Sequence, residues 1–309
     1  MTTTSETGST LSALSSDLAG AVERAGRATV AIHARPRIPS SGIHWRPGII
    51  LTADHTVKRD EEITVTFGDG QTHPASLVGR DPATDLAVLR SEHHAAPAAE
   101  LGDAASLAVG HIVLAVGRAG EQVSASLGIV SAIAHEWRTW RGGVIERLFR
   151  LDLAVYDGFS GGPLVDARGA IVGLDTSGLA RGIATAIPRS TVDRVTDQLL
   201  ATGHIARGYI GLAMQPVRLP GALVRTLGLA GEGGVILVGV EPGGPGDKAG
   251  AMIGDVMVAL DDKPVRTADD LVALLGSESV GRTVRARIVR GGASRELSIV
   301  IGERARGSR

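Results

Sequence analysis

The chain has 309 residues, 43% of them hydrophobic and 21% charged, which suits a globular protein of two domains rather than a disordered polymer. Its 32 basic and 33 acidic residues give a formal net charge of −1, so electrostatics offer no case for a nucleic-acid partner. Cysteine is absent, and His135-Glu136 lacks the second histidine of a zinc-protease helix; no metal and no cofactor is expected.

Taken in chain order, MTTTSETGSTLSALSSDLAG lacks both a basic start and an apolar centre, so neither a signal peptide nor a membrane span is expected there. These features predict a cytoplasmic protein without membrane contact. A flexible arm and then a short helix, Leu11 to Arg24, are expected, since Leu14, Leu18 and Val22 recur on one face. An early strand with His33 and His44 beside it comes next, and then GIILTADHTV, an apolar strand that delivers His55 at its end. In GRDPATDLAVLR, Asp85 directly precedes the apolar strand Leu86 to Leu89. An acid there is largely buried, which is costly unless a group such as an imidazole N–H hydrogen-bonds it. Asp81, before Pro82, reads as a turn starter and Asp54 as a local strand-end acceptor. His93 and His94 fall in a polar loop, and His73, His111, His135 and His204 in turn-like or exposed contexts.

The segment His135 to Leu148 carries Trp137 and Trp140 among arginines and is a candidate coupling element. DGFSGGPLVD, from Asp157 to Asp166, then sets one serine among Gly158, Gly161 and Gly162. The glycines allow a tight turn that can aim the backbone N–H groups of Gly158 and Ser160 at one point, where an oxyanion would be stabilised. The same cluster also suits a hairpin in which Ser160 is only a turn residue. Arg189 to Gly203 has the period of an amphipathic helix, with Val192, Val195, Leu199 and Leu200 on one face and Gly203 as its stop. From Arg207 onward, alternating strands, Gly/Pro turns and one helix-like stretch from Ala268 to Leu275 predict a second compact domain of about a hundred residues.

A serine needs a base, and the base an orienting acid, for nucleophilic catalysis. LTADHTV, DPATDLAVLR, GFSGGPLV and ARGIATAIP, in that order, resemble the motifs of trypsin-like serine proteases of the HtrA/Deg family. The resemblance implies a mainly β protein, a trypsin-like double β-barrel followed by a circularly permuted PDZ domain of α+β type. The implied layout is an arm and helix over 1–25, a protease domain over 26–203, a PDZ domain over 204–305 and a tail over 306–309. By the same resemblance His55 is the general base, Asp85 its orienting carboxylate and Ser160 the nucleophile, with Gly158 and Ser160 supplying the oxyanion hole. Ala154 falls at the floor of the specificity pocket, with segments 175–178 and 182–185, including Thr176, Ser177, Gly182 and Ile183, as its walls. An uncharged floor favours small or medium apolar side chains before the cleaved bond. In the PDZ domain Tyr209, Ile210, Gly211 and Leu212 form the carboxylate-binding loop. Expected partners are unfolded or misfolded polypeptides, C-terminal peptides and further copies of the chain in a trimer. The sequence departs from the family at Phe159, where asparagine is usual, and at Tyr156 and Asp157. These departures leave open a second function, an inert PDZ adaptor or chaperone on a protease fold.

Overall fold

The computed structural model describes residues 4–93, 97–139, 142–180, 182–276 and 279–303, with side chains in the first helix from Thr10 onward. His94, Trp140 and the basic tail from residue 304 lie outside the described residues. Two units divide the chain, Met1–Ile205 and Ala206–Arg309.

The first unit opens on α1 (Thr4–Ala28), one continuous helix of 25 residues in place of the expected flexible arm and short helix. Ala21, Ala25 and Ala28 are buried on its inner stripe, and Leu18 and Val22 pack against the same cluster. That burial carries the helix through Gly20 and Gly26, each worth about 1 kcal/mol less than alanine in a helix. Arg118 closes its end, donating to the carbonyl of Gly26 at 3.1 Å and to that of Thr29 at 2.8 Å, so terminal carbonyls do not go unpaired.

Strands β1 (Thr29–His33), β2 (Ser40–Arg46), β3 (Ile49–Ala53), β4 (Ile63–Thr66), β5 (Thr72–Asp81) and β6 (Leu86–Arg90) close into a barrel in the order β1-β2-β3-β6-β5-β4. Val30, Ile32, Ile50, Val65, Phe67 and Leu89 form one of its buried clusters. The next strands are β7 (Ile112–Gly117), β8 (Ser124–Ala134), the short pair β9 (Trp137–Arg138) and β10 (Val144–Ile145), β11 (Leu148–Asp152), β12 (Pro163–Asp166), β13 (Ile171–Thr176) and β14 (Ala184–Pro188). All but the short pair make a second closed barrel, β11-β14-β13-β12-β7-β8. Its interior takes side chains from every strand: Val113, Val130, Phe149, Leu164, Val172 and Ala186.

Helix α2 (Arg189–Thr202) follows the predicted pattern, with Val192, Val195 and Leu199 buried and Gly203 ending it at φ 74°. It packs back on the first barrel. The Trp45 indole donates to Asp193 at 2.8 Å, and a Cβ on Gly79 would stand 2.4 Å from the Gly203 carbonyl oxygen. Only glycine permits that approach.

The second unit contains β15 (Gly208–Tyr209), β16 (Leu212–Arg218), α3 (Gly221–Leu227), β17 (Gly233–Val240), α4 (Pro245–Lys248), β18 (Val256–Leu260), β19 (Lys263–Pro264), α5 (Ala268–Leu274), β20 (Thr283–Arg290), β21 (Ala293–Val300) and β22 (Gly302–Glu303). The main sheet runs β16-β17-β18-β20-β21 with β19 on β18, while β15 pairs with β22. Leu271 brings α5 into a core of Val235, Met257, Leu260, Ala286, Ile288 and Ile299. A capping box between Thr267 and Asp270 starts that helix. Mainly β, with two barrels before a smaller mixed unit, is the architecture the motifs imply.

Candidate active site

His55 stands at the end of β3 on a single 3₁₀ turn, Asp54–Thr56. Arg80 pins this turn: its guanidinium bonds the Asp54 carboxylate and donates to the carbonyls of Asp54 at 3.1 Å and Val57 at 2.9 Å. Asp54 is thus an ion-pair partner rather than a local strand-end acceptor. Asp81 does start its turn, accepting from the Ala83 amide at 3.2 Å and the Thr84 hydroxyl at 2.7 Å.

Asp85 enters β6 with φ 59°, a left-handed conformation that costs a non-glycine residue about 1–3 kcal/mol. In return its buried carboxylate meets His55 twice. One oxygen accepts from the His55 amide at 2.8 Å and the other lies 2.8 Å from Nδ1. The second oxygen also accepts from the Thr176 hydroxyl. A carboxylate on Nδ1 sets the tautomer with the proton there and leaves Nε2 as the acceptor. Gly178 closes this corner, because a Cβ there would lie 2.5 Å from the Asp85 oxygen and 2.7 Å from Nδ1.

Ser160 is presented by a loop in which Gly158 and Gly161 take φ 89° and 94°. The loop is tied on both sides. Ser41, from the first barrel, donates to the Gly158 carbonyl through its amide at 2.8 Å and its hydroxyl at 2.6 Å. From the second barrel, Gly161 donates to the Asp175 carbonyl and Asp175 to that of Gly162, both at 2.8 Å. The amides of Gly158 and Ser160 have no protein acceptor among the described residues. Such donors suit an oxyanion developing at an attacked carbonyl. The Ser160 Oγ lies 3.0 Å from the Ser177 Oγ and accepts from the Ser177 amide at 3.3 Å; no hydrogen bond joins it to His55.

The departures around Ser160 have clear positions. Phe159 is buried against Gly117, where a Cβ would approach its ring to 2.6 Å, and meets Tyr156 edge-on at 5.3 Å. The ring therefore packs inward rather than over Ser160. Asp157 is exposed. Of the expected pocket residues, Ala154 and Gly182 are exposed and Ile183 is half-buried. Thr176 turns its hydroxyl to Asp85, and the Ser177 hydroxyl meets that of Ser160, so both contact members of the expected triad.

The sequence alone does not mark Ser41, Thr176 and Gly178 as neighbours of the expected triad and its loop. Thr176 and Gly178 fall in the segment expected to line the pocket, which was the available signal; Ser41 has no local signature, because its partner is 117 positions away. The remaining histidines differ from expectation in part. His73 and His93, read as turn or loop residues, stack at 4.0 Å beside Phe67. His44 lies between the Pro97 carbonyl and the Gly48 amide.

In the second unit, Gly211 has φ 70°, and the amides of Ile210 and Gly211 have no protein acceptor among the described residues. The Ile210 carbonyl accepts from Gly246 and the Gly211 carbonyl from Glu241, at 2.8 and 2.9 Å. Both carbonyls being occupied, the free amides can face an added carboxylate. The Tyr209 hydroxyl bonds the Glu241 carboxylate beside them. Leu271 on α5 is committed to the core, and Leu275, which caps that helix, is half-buried against it.

Comparison with known proteins agrees with both units. A trypsin-like peptidase domain family model matches residues 40–174 and a PDZ domain model residues 208–301. A probable periplasmic serine endoprotease, DegP-like, of Pseudomonas fulva is 35% identical over 263 residues, covering 83% of this chain and 54% of the relative. The chain thus spans about half the length of the curated relatives it matches. The structure of the HtrA-type protease AlgWS227A with tripeptide is 30% identical, with a TM-score of 0.74, over 93% of this chain and 97% of that one. A serine endoprotease from Yersinia pestis is 28% identical, with a TM-score of 0.73, over 93% and 97%. These relatives overturn the expected cytoplasmic location, which rested on polar opening residues and on apolar runs no longer than strands: the curated proteins are named as periplasmic and point outside the cytoplasm. With the two domain matches in the order of the two folded units, the chain belongs to the HtrA/Deg family of trypsin-like serine proteases that carry a PDZ domain.

Proposed function

We propose that this chain is a serine endopeptidase acting outside the cytoplasm. In this reading Ser160 attacks a peptide carbonyl, His55 takes the hydroxyl proton through Nε2, and Asp85 steadies the imidazolium. The amides of Gly158 and Ser160 hold the oxyanion, and water then releases the acyl group. The observation that carries the reading is the His55–Asp85 pair, bonded at 2.8 Å through both backbone and ring, beside a serine whose loop offers two unpaired amides. Residues 26–203 form the protease domain, and 204–305 form a PDZ domain that takes C-terminal peptides through Tyr209, Ile210, Gly211 and Leu212. Ala154, Ser177, Gly182 and Ile183 bound a pocket for small side chains. Unfolded polypeptides are the substrate class, and a trimer the assembly.

A second reading has one observation in its favour: the Ser160 hydroxyl is engaged with Ser177 rather than with His55. It makes the chain an inert peptide-binding adaptor. A fluorophosphonate probe separates the two, since it should label wild-type protein at Ser160 and leave Ser160→Ala unlabelled. The same substitution should remove casein cleavage. Failure of the probe to label Ser160, or undiminished cleavage by the variant, would refute the protease reading.

A further inference from the structure

Asp175 is fully buried, and neither of its carboxyl oxygens has a hydrogen-bond partner. Such a group is expensive to bury and is rare without a functional explanation. Its direction follows from register. On β13, Leu174 pairs with Ile187 and belongs with it to the cluster reaching α2, whereas Asp175 pairs with Ala186. Ala186 also pairs with Phe149 and belongs to the second barrel's interior cluster with Leu164. Residues directly opposite each other share a face of the sheet, so the Asp175 carboxyl enters the barrel interior while the next residue, Thr176, turns to Asp85. The end of the barrel it enters is the catalytic one. The Asp175 backbone bonds Gly161 and Gly162, the two residues that follow Ser160, and Leu153, beside the expected pocket floor, and Ala184, in its expected wall, pack against the same interior cluster.

We infer that Asp175 is a specificity-determining residue of the protease site, a hydrogen-bonding group in the primary pocket that selects a short hydroxyl side chain, serine or threonine, before the cleaved bond. The inference rests on the endopeptidase reading and deepens it. An apolar pocket distinguishes threonine from isosteric valine by little, whereas a pocket with a buried partner for the hydroxyl favours threonine strongly. Burial holds the Asp175 carboxyl well above the ordinary carboxylate range. In its protonated form it offers both a donor and an acceptor, the complement of a hydroxyl. The preference for small side chains drawn from Ala154 is kept, and polarity is added to it.

The test is competition between paired peptides that differ only before the cleaved bond, threonine against valine and serine against alanine, digested together. The ratio of kcat/KM in one pot does not depend on how much enzyme is folded or active. Wild-type enzyme should prefer threonine over valine by about tenfold or more. Asp175→Leu, or Asp175→Ala should the leucine variant not fold, should bring that ratio to one or below, and Asp175→Asn should retain part of it. Equal cleavage of the pair by wild type, or the same ratio in wild type and the apolar variant, would overturn the inference while leaving the protease reading intact. No cleavage of any pair by wild type would overturn both.

Discussion

Gly178→Ala is the sharpest probe of the catalytic corner. The added methyl would lie 2.5 Å from the Asp85 carboxylate oxygen and 2.7 Å from His55 Nδ1, where an ordinary contact needs about 3.5 Å. About 1 Å of separation has to be found, and Asp85 has little freedom to provide it, being held by the His55 amide, the His55 ring and Thr176. The imidazole is the softer partner, since its side chain is 35% exposed. A displacement of about 1 Å in a catalytic group costs on the order of 10²-fold in rate. Gly178 does not have a left-handed φ, so alanine brings no backbone strain and the fold should persist. The expected result is a drop in kcat of about 10²-fold, a melting temperature lowered by no more than about ten degrees, since overpacking costs about 1–3 kcal/mol, and intact peptide binding at the PDZ domain. Peptide hydrolysis on active-site-titrated enzyme, beside a thermal melt, measures both. Activity within twofold of wild type would refute the claim that this contact sets the His55–Asp85 geometry.

Ser177→Ala removes the hydroxyl 3.0 Å from Ser160 and should speed fluorophosphonate labelling of Ser160 severalfold; unchanged or slower labelling would show that the contact does not restrain the nucleophile. Asp175→Asn should make the folded protein's stability less dependent on pH. The raised carboxyl pKa means that the folded state binds this proton more tightly than the unfolded chain, so its contribution is fully present below about pH 4 and declines as pH rises toward the folded value. The difference in melting temperature between variant and wild type should therefore grow from pH 4 to pH 8, and a constant difference would count against it. Glu241→Gln removes a negative charge beside the amides of Ile210 and Gly211. It should tighten binding of C-terminal peptides about two- to fivefold at low salt and less at high salt, as screened exposed charges do; identical affinities in a fluorescence titration would exclude that role.

The features most legible in the sequence were those with a local physical cause. Val192, Val195 and Leu199 recur at helical spacing, and α2 buries them. The ADHT and ATDL segments each place a polar residue at the edge of an apolar strand, and the fold brings His55 and Asp85 together there. What the sequence did not display depends on contacts made across the barrels. Ser41 holds the Gly158 carbonyl from 117 positions away, and serine in a strand has no pattern that distinguishes such a clamp from a surface hydroxyl. The resemblance alone puts Thr176 on a pocket wall; that its hydroxyl meets Asp85 depends on the pairing of β13 with β14, which the sequence does not display. The extension of the first helix beyond Leu11–Arg24 to Thr4–Ala28 is hidden for a related reason: its amino-terminal half is polar and glycine-containing, and its stability comes from the burial of Ala21, Ala25 and Ala28 against the barrels rather than from propensity.

The same distinction bears on resting activity. The rigid parts of the site are complete, since Asp85 and His55 are bonded, the Gly158 carbonyl is clamped by Ser41, and two amides stand free. What differs from a reactive arrangement is the position of one oxygen, Ser160 Oγ, which contacts Ser177 rather than His55. Turning it to His55 exchanges the Ser177 hydroxyl and amide contacts for one other hydrogen bond, a net difference of about 1 kcal/mol, so the two orientations stay within roughly tenfold of each other in population. A ligand needs only a correspondingly small difference in affinity for the two states to shift that balance. On the endopeptidase proposal, activation need not rebuild the loop around Ser160: a change confined to Asp175 and Thr176 at the end of β13 and to Ser177 just beyond it is expected to be enough to release the hydroxyl.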